Sequence, residues 1–321
     1  MNIRSFLIVI ISFLGGVASF AQANLLNAKT PKQIGIKSAA QLISDNDKPI
    51  AYGYVDDRDI MMGKTVWEII DLSERINFPL YFPKDTVNIG SDRRSLFNVL
   101  IKAIKDEKIT EVYDDSYFNT KKSYKDIKAS LKHTSLSDVG RTKMNDLGLT
   151  DKYKDINPEQ ISSEDAQNLI KDGIDEQYIL TNEITGAEIS KYKIKGYWYF
   201  DSRQSELKYR LLGICPIAND VYSNINDKDA ADVDLFWVFF PDARNVLHSS
   251  KSFNDKNSSM PISFDQILNS RRFNSVIYQE ENVYGDRTIV SYMKDNAQNQ
   301  LLESERVKEK VRNFEENMWN Y

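Results

Sequence analysis

The sequence predicts an α+β protein with N-terminal helices, an antiparallel aromatic-rich sheet and a C-terminal amphipathic helix. In the first part of the chain, apolar residues recur at spacings of three and four, which is typical of helices. Around residues 191–211 they alternate with polar residues, which indicates a hairpin of two strands. The last part is dense in charge and carries one apolar stripe. A hydrophobic content of 41% is ordinary for a folded domain, so we expect a packed core.

Residues 1–21 have the layout of a secretory signal peptide. Arg4 precedes an apolar run over residues 6–14, and small residues follow up to Ala21. The apolar run is shorter than the roughly 20 residues that a membrane span requires. Cys215 is the only cysteine, so no thiol near the cleavage point carries a lipid and no intrachain disulfide forms. We expect an exported protein without a lipid or a disulfide.

We expect residues 22–321 to form one α+β domain. Its predicted parts are a helical part over about 22–132, a polar connection over 133–165, a mainly β part over 166–292 and the C-terminal helix over 293–321. Lys and Arg number 42 against 47 Asp and Glu. Because no basic excess is available to neutralise phosphates, nucleic acid is not an expected partner.

Three helices are predicted in the helical part. Helical spacing of apolar residues predicts the first over residues 59–77. Ser91 and Asp92 are a plausible N-cap pair for a second helix with an apolar stripe over residues 96–104. A third helix is predicted over residues 121–132.

The third helix would place four lysines in a row opposite its apolar stripe. The row consists of Lys121, Lys125, Lys128 and Lys132. One interpretation is a basic ridge that meets an acidic partner or an anionic envelope polymer such as peptidoglycan. The other is the solvated face of an amphipathic helix, which is the more usual role of such a row.

The predicted sheet begins with a hairpin. Its strands cover residues 191–200 and 207–211, and residues 201–205 form the turn. A third strand over residues 233–240 is aromatic throughout, which is consistent with a central position covered on both faces.

A short helix and two strands are predicted after the hairpin. Ser263 and Gln266 form a capping box, so a helix is expected to start there. Residues 275–278 and 288–292 are predicted strands around a turn at Gly285.

The clearest predicted helix covers residues 299–319. Its apolar stripe is a candidate interface made of Val307, Val311, Phe314, Met318 and Trp319. Docking on the chain's own body is the commoner role of such a stripe, and binding of a partner is the alternative. As an interface hypothesis, removal of residues 297–321 is expected to leave a folded body that no longer binds its partner.

Enzyme signatures are absent from the sequence. His133 and His248 are the only histidines, so with one cysteine they cannot supply a zinc-ligand set. The glycine-containing motifs of nucleotide-binding and acyl-transfer enzymes do not occur either. We expect no cofactor and no bound metal.

Two other functions stay open on the residues alone. Carboxylate pairs such as Asp56 with Asp57 and Asp114 with Asp115 suit a glycan hydrolase, which needs two carboxyl groups at a set separation. A peptidoglycan-binding module that uses the lysine row is the second.

Long segments of the chain strongly resemble one family, the gliding motility protein GldN, called PorN in non-gliding relatives. The resemblance is carried by DDRDIMMGKTVWEIIDLSERINFPLYFP (residues 56–83), KGYWYFDSRQSELKYRLLGICP (195–216), VDLFWVFFPDARNVLH (233–248), SFDQILNSRRFNSVIYQEENVYGDR (263–287) and LLESERVKEKVRNFEENMWNY (301–321). These segments span nearly the whole mature chain in matching order.

The resemblance implies a structural role. Members of this family are periplasmic parts of the type IX secretion system of Bacteroidota, where they form a ring with the outer-membrane lipoprotein GldK or PorK. The ring meets the periplasmic part of the inner-membrane motor protein GldM or PorM. The resemblance therefore implies three partners: the lipoprotein, other copies of the chain and the motor protein. It supplies no catalytic residues to carry over. A leader without cysteine then implies that the lipoprotein holds the chain at the outer membrane.

Overall fold

The structure, a computed structural model, describes residues 48–85, 93–154, 156–221, 231–254, 261–294 and 296–319, together with Thr30 and Ile89. In chain order, the strands of this part are β1 (Ile60–Asp71), β2 (Val112–Tyr113), β3 (Lys132–Leu136), β4 (Ile179–Glu183), β5 (Ile189–Asp201), β6 (Glu206–Asn219), β7 (Asp232–Asp234), β8 (Trp237–Phe239), β9 (Lys251–Ser252), β10 (Ile262–Ser263) and β11 (Val276–Glu280). Its α-helices are α1 (Phe78–Tyr81), α2 (Leu96–Lys105), α3 (Tyr124–Leu131), α4 (Asp138–Asp146), α5 (Ser163–Lys171), α6 (Phe240–Ser249), α7 (Phe264–Asn269), α8 (Ile289–Tyr292) and α9 (Ala297–Trp319). The predicted α+β class is confirmed, whereas the predicted signal peptide, residues 1–21, lies outside the described residues.

A seven-stranded sheet with antiparallel pairings organises the described part of the chain. The strand order is β11-β1-β5-β6-β8-β2, and β7 also pairs with β6. β5 and β6 form a long hairpin whose register runs from Ile189 opposite Ala218 to Asp201 opposite Glu206. The predicted hairpin is confirmed, and its strands are longer than the alternation indicated.

β1 is a strand where the sequence predicts a helix over residues 59–77. It lies between β11 and β5, in the interior of the sheet. Val66 and Ile70 are buried on one face, and Trp67 is buried on the other. A strand that is buried on both faces shows no period of two, and here its apolar residues also fall at helical spacing. The predicted helical part, residues 22–132, therefore contains an interior strand.

Two segments predicted as strands are partly or wholly helical. Residues 233–240 form β7 and β8 and then enter α6, because Pro241 suits the first turn of a helix. Residues 288–292 form the short helix α8, and only Thr288 makes a β-bridge. In both cases aromatic and β-branched composition favoured a strand, while packing against the sheet decided the conformation.

The helix predictions for α2, α7 and α9 are confirmed. The N-cap of α2 is Ser95, whereas the predicted cap pair of Ser91 and Asp92 lies outside the described residues. At α7 the hydroxyl of Ser263 accepts a hydrogen bond from the backbone N–H of Gln266, as the capping-box spacing predicts.

The segment 133–165 is not a polar connection. It contains α4, most of β3 and the start of α5, and β3 pairs with β4 in a small sheet of its own. The few apolar residues of this region converge in a separate small core made of Leu136, Met144, Ile161, Ala166, Leu169 and Ile174. The sequence did not predict this core, because its residues are too far apart along the chain to show a helical or strand period.

Helices cover one face of the large sheet and form the main core with it. Leu100 of α2, Phe240 of α6 and Phe264 of α7 are fully buried in the same cluster as Ile194 of β5. A loop, residues 114–120, covers part of the opposite face, where Phe118 packs with Trp67 and Trp237. On that face the Lys195 ammonium lies 4.9 Å from the ring centroid of Trp67 and donates to the Ser116 carbonyl at 3.0 Å. Burial lowers the pKa of Lys195.

A buried ion pair joins β1 to the segment before β11. Glu68 is fully buried, and Arg271 donates to its two carboxylate oxygens at 2.9 and 2.7 Å. The Ser275 hydroxyl donates to the same carboxylate. The Arg271 guanidinium also lies 4.2 Å from the ring centroid of Tyr209. A buried carboxylate is tolerated only when its acceptors are satisfied, and these donors meet that condition.

Tyr209 lies across a glycine of the neighbouring strand. A Cβ atom built on Gly196 would overlap the hydroxyl and ring atoms of Tyr209. The ring also packs against Trp198 with centroids 4.9 Å apart. Gly196 therefore provides the space in which Tyr209 meets Arg271.

We predict that Arg271→Met lowers the free energy of unfolding by about 3–5 kcal/mol, since it leaves the Glu68 carboxylate buried and unpaired. The matched control is Arg312→Met, because Arg312 is 63% exposed and lies 3.8 Å from Glu309. The control is expected to change the free energy by about 0.5 kcal/mol or less. Urea unfolding measures both, and equal losses would contradict the importance of the buried pair.

We also predict that Gly196→Ala lowers the free energy of unfolding by about 1–3 kcal/mol, since Tyr209 must leave its place over the strand. Gly53→Ala is the control, because no atom lies within 4 Å of a Cβ built there. Thermal unfolding followed by circular dichroism compares the two variants. A Gly196→Ala protein as stable as Gly53→Ala would show that Tyr209 is free to move.

Candidate functional site

The C-terminal helix α9 carries the candidate interface residues and is docked on the chain's own sheet. Val307 is fully buried with Ile277 of β11, and Val311 is also buried. The rings of Phe314 and Phe200 meet edge to face with centroids 5.7 Å apart. Met318 is half-buried. The stripe therefore covers the chain's own body, the commoner of the two roles considered above.

Hydrogen bonds fix α9 against β11, the strand that ends the sheet. The backbone N–H of Ile277 donates to the buried Ser304 hydroxyl at 2.9 Å. Lys308 donates to the Ser275 carbonyl at 3.0 Å. Because a terminal strand presents unpaired backbone groups, the helix protects the end of the sheet. Removal of residues 297–321 would expose Val66 and Ile277, which argues against the expectation that a folded body remains, and that expectation stays a prediction.

The outward side of α9 carries two exposed leucines. Leu301 is 49% exposed and Leu302 is 61% exposed. Trp319 is the last residue of the helix, and its side chain lies outside the described part of the structure. Val307 and Val311 are buried against the sheet, whereas these two leucines stay exposed.

The four lysines of the predicted ridge do not share one helix. Lys125 and Lys128 are exposed on α3, but Lys121 precedes the helix and Lys132 begins β3. The helix starts after Ser123, which forms a capping box with Asp126, so its first turn excludes Lys121. Lys121 also pairs with Glu111 at 2.9 Å. A continuous basic ridge over residues 121–132 does not form.

The carboxylate pairs considered for glycan hydrolysis serve local structure. Asp56 caps a short 3-10 turn, and Asp115 accepts a hydrogen bond from the backbone N–H of Tyr117 at 2.7 Å. Asp114 pairs with Lys122 at 2.6 Å. Within the described ranges no group of three or more His, Cys, Asp or Glu is placed to hold a metal ion.

A cleft of about 260 Å³ opens beside the turn of the β5–β6 hairpin. Arg203, Lys208 and Arg210 line it from the hairpin, and residues 51–55 form the opposite wall. Arg244 of α6 supports this wall: it donates to the Ile50 carbonyl at 2.6 Å and lies under the Tyr52 ring, 4.0 Å from its centroid. We name this feature the hairpin cleft.

The cations of the hairpin cleft differ in how they are paired. Arg203 lies 3.0 Å from Asp59, and Lys208 lies 3.2 Å from Asp201. Arg210 donates to the Gly53 carbonyl at 3.0 Å and stacks on Tyr52, but forms no ion pair within the described residues. Sequence reasoning assigned residues 207–211 only to a strand of the hairpin. It missed the cleft because the other wall comes from a distant part of the chain.

The turn between β11 and α8 is fixed and presents apolar side chains. Val283 is 93% exposed and Tyr284 is 69% exposed. The Asn282 side chain accepts from the Tyr284 N–H at 2.9 Å, and Asp286 accepts from the Asn282 N–H at 3.0 Å. Gly285 has a φ of 76°, which confirms the predicted turn. We name residues 281–287 the exposed turn.

The chain was compared with known families and proteins. A family model described as gliding motility associated protein GldN matches residues 55–320. This chain belongs to the GldN family. The GldN family consists of structural components for gliding motility, and it is not a known enzyme family. A search of curated proteins finds no match.

The GldN match covers the elements described above, from the segment before β1 to the end of α9. It therefore includes the hairpin, the exposed turn and the docked helix, but of the opposite wall of the hairpin cleft it includes only Val55. None of the helices in the described part of this GldN chain has the length and apolar character needed to cross a bilayer.

Glu303 accepts one set of hydrogen bonds within α9 and one from α8. Arg306 Nε donates to its carboxylate at 2.7 Å, and the Tyr292 hydroxyl donates to it at 3.2 Å. The hydrogen bond from Arg306 holds the pKa of Glu303 below its ordinary value of 4.5. A carboxylate with a lowered pKa in the folded state stabilises the fold above the unfolded pKa. That contribution is lost as the pH falls through the lowered value.

We predict that acid weakens the docking of α9 through Glu303. Glu303→Gln is expected to cost about 1–3 kcal/mol at pH 7, because a charge-assisted hydrogen bond becomes a neutral one. It is also expected to flatten the fall in stability between pH 5 and pH 3. Urea midpoints measured across this range test the prediction, with Glu305→Gln as an exposed control on the same helix. An unchanged pH dependence in Glu303→Gln would overturn it.

Proposed function

We propose that this GldN chain is a non-enzymatic structural subunit of the type IX protein secretion and gliding motility machinery. The observation that carries the proposal is the family match over residues 55–320, which covers nearly all of the described fold. A structural rather than a catalytic role is supported by the family and by the use of Asp56, Asp114 and Asp115 as caps and ion-pair partners.

The proposed location is the periplasm, at the inner side of the outer membrane. The leader layout of residues 1–21 supports export, and its lack of cysteine supports a protein without its own lipid. The lipoprotein GldK or PorK therefore holds the chain at the membrane in a shared ring. The motor protein GldM or PorM meets this ring from the inner-membrane side.

A ring of many copies requires two different complementary surfaces on each copy. Contacts of this head-to-tail kind close into a ring when the rotation between neighbours divides a full turn. Each copy needs a further surface for the lipoprotein. We assign that third surface to the outward side of α9, at Leu301 and Leu302, because the inward stripe is buried in the chain itself.

The experiment that tests this function is purification of the outer-membrane complex from cells that carry a tagged full chain. Negative-stain electron microscopy is expected to show rings, and the lipoprotein is expected to co-purify. Leu301→Ser/Leu302→Ser should reduce the recovered lipoprotein about ten-fold or more, since burial of one leucine side chain contributes about 1.5–3 kcal/mol.

The control for the leucine variant is Val139→Ser/Leu180→Ser, a pair 55% and 51% exposed in the small-core region. It is expected to recover lipoprotein as the unmodified chain does. Equal loss in both variants would reject the α9 surface, and rings that lack the chain altogether would reject the proposed function.

A further inference from the structure

We propose that the exposed turn of one copy binds in the hairpin cleft of the next copy and forms the head-to-tail contact of the ring. This inference rests on the proposed ring-forming function. It names the two surfaces that such a contact requires and the chemistry by which they recognise each other.

The hairpin cleft has the chemistry of a site for an acidic, partly aromatic segment. Arg210 presents a guanidinium without an ion-pair partner among the described residues, stacked against Tyr52. Tyr54, 81% exposed, lies at the same wall. Arginine and tyrosine together are typical of the residues that dominate protein interfaces. A cleft of about 260 Å³ admits a side chain rather than a folded element.

The exposed turn has a matching convex shape. Val283 and Tyr284 project from it and are 93% and 69% exposed. Gln279 donates to the Asp286 carbonyl at 2.7 Å, and the Tyr117 hydroxyl donates to the Asp286 carboxylate at 3.2 Å. These bonds fix the turn before any partner arrives. A preorganised turn loses little conformational entropy on binding.

The two surfaces have opposite charge. The cleft holds the cations of Arg203, Lys208 and Arg210 against the carboxylate of Asp201 and that of the adjacent Asp59. The turn holds the carboxylates of Glu281 and Asp286 against Arg287, whose guanidinium lies over the rings of Tyr284 and Tyr292. Complementary charge of this kind favours the pairing and disfavours contacts of turn with turn or cleft with cleft.

The two surfaces lie at different places in the sheet. The turn follows β11, at one end of the sheet, and the cleft lies beside β6, three strands further along. One copy therefore offers both surfaces at once, and a contact between unlike surfaces extends to a third copy instead of ending at a dimer.

A disulfide trap tests the contact. Val283→Cys and Gln204→Cys place one thiol on the turn and one at the cleft, both at exposed positions. The native Cys215 is fully buried, and burial raises the pKa of its thiol, so it does not compete. The two single variants carry different tags and are expressed in the same cells. Mild oxidation of the envelope fraction and a non-reducing gel then measure covalent dimers that hold both tags.

We expect dimers with both tags at least five times more often than in the control pair, Val139→Cys with Gln204→Cys. Arg210→Glu in the cleft copy should reduce the dimer about ten-fold, and Glu281→Arg in the turn copy should partly restore it. Yields equal to the control, or dimers only between two turn copies, would overturn the inference.

The same envelope fraction separates this inference from the proposed function. Rings that contain the chain but give no dimer with both tags would reject the turn-to-cleft contact and leave the function standing. Dimers with both tags in the absence of rings would support the contact and reject the function. If neither rings nor such dimers form, both proposals fail.

Discussion

The buried pair of Glu68 and Arg271 is the interaction on which the rest of the structure depends. Glu68 lies in β1, between β11 and β5, and Arg271 belongs to the segment that links the helix layer to β11. Leaving such a carboxylate unpaired costs about 3–5 kcal/mol, a large share of the stability of an ordinary domain. The pair therefore holds the link beside β1, the strand with which β11 pairs. Everything after β11 follows from that placement: the exposed turn, α8, and α9 with Ser304 on the Ile277 amide.

A second buried guanidinium, that of Arg244, fixes one wall of the hairpin cleft. Arg244 of α6 donates to Asp265 of α7 at 2.9 and 3.3 Å and is almost fully buried. Its Nη2 also donates to the Ile50 carbonyl, so the segment before β1 is fixed beside the hairpin. The cleft is therefore bounded on one side by a β-hairpin and on the other by a wall that depends on an ion pair between two helices. The wall of the cleft is thus fixed by a charge that cannot be left unpaired in the interior, whereas hydrogen bonds of Asn282 and Asp286 fix the exposed turn.

Sequence patterns predicted the elements whose cause is local. The β5–β6 hairpin alternates along its length, α7 has its capping box at Ser263, and α9 repeats its apolar residues at helical steps. Patterns failed where the cause is distant. β1 looks helical because both of its faces are covered by other segments, and the small core around Leu136 is assembled from residues too far apart to show a period. The hairpin cleft escaped notice for the same reason, since no local pattern reports which distant segment will face Arg210.

The α9 stripe shows why an apolar periodicity does not identify a partner. The same stripe fits the chain's own sheet or another protein, and Val307 at zero exposure decides for the sheet. Apolar side chains that remain exposed after folding are better guides to contacts, and here they include Val283 and Tyr284 on the turn and Leu301 and Leu302 on α9.

These exposed apolar groups all follow Arg271 in the chain, whereas the cleft is built from the segment before β1 and from the hairpin. On our proposal each copy thus gives its C-terminal part to one neighbour and to the lipoprotein, and receives the other neighbour on its N-terminal part and hairpin. Because each copy uses unlike surfaces towards its two neighbours, all copies point the same way around the ring, which contacts between identical surfaces could not provide.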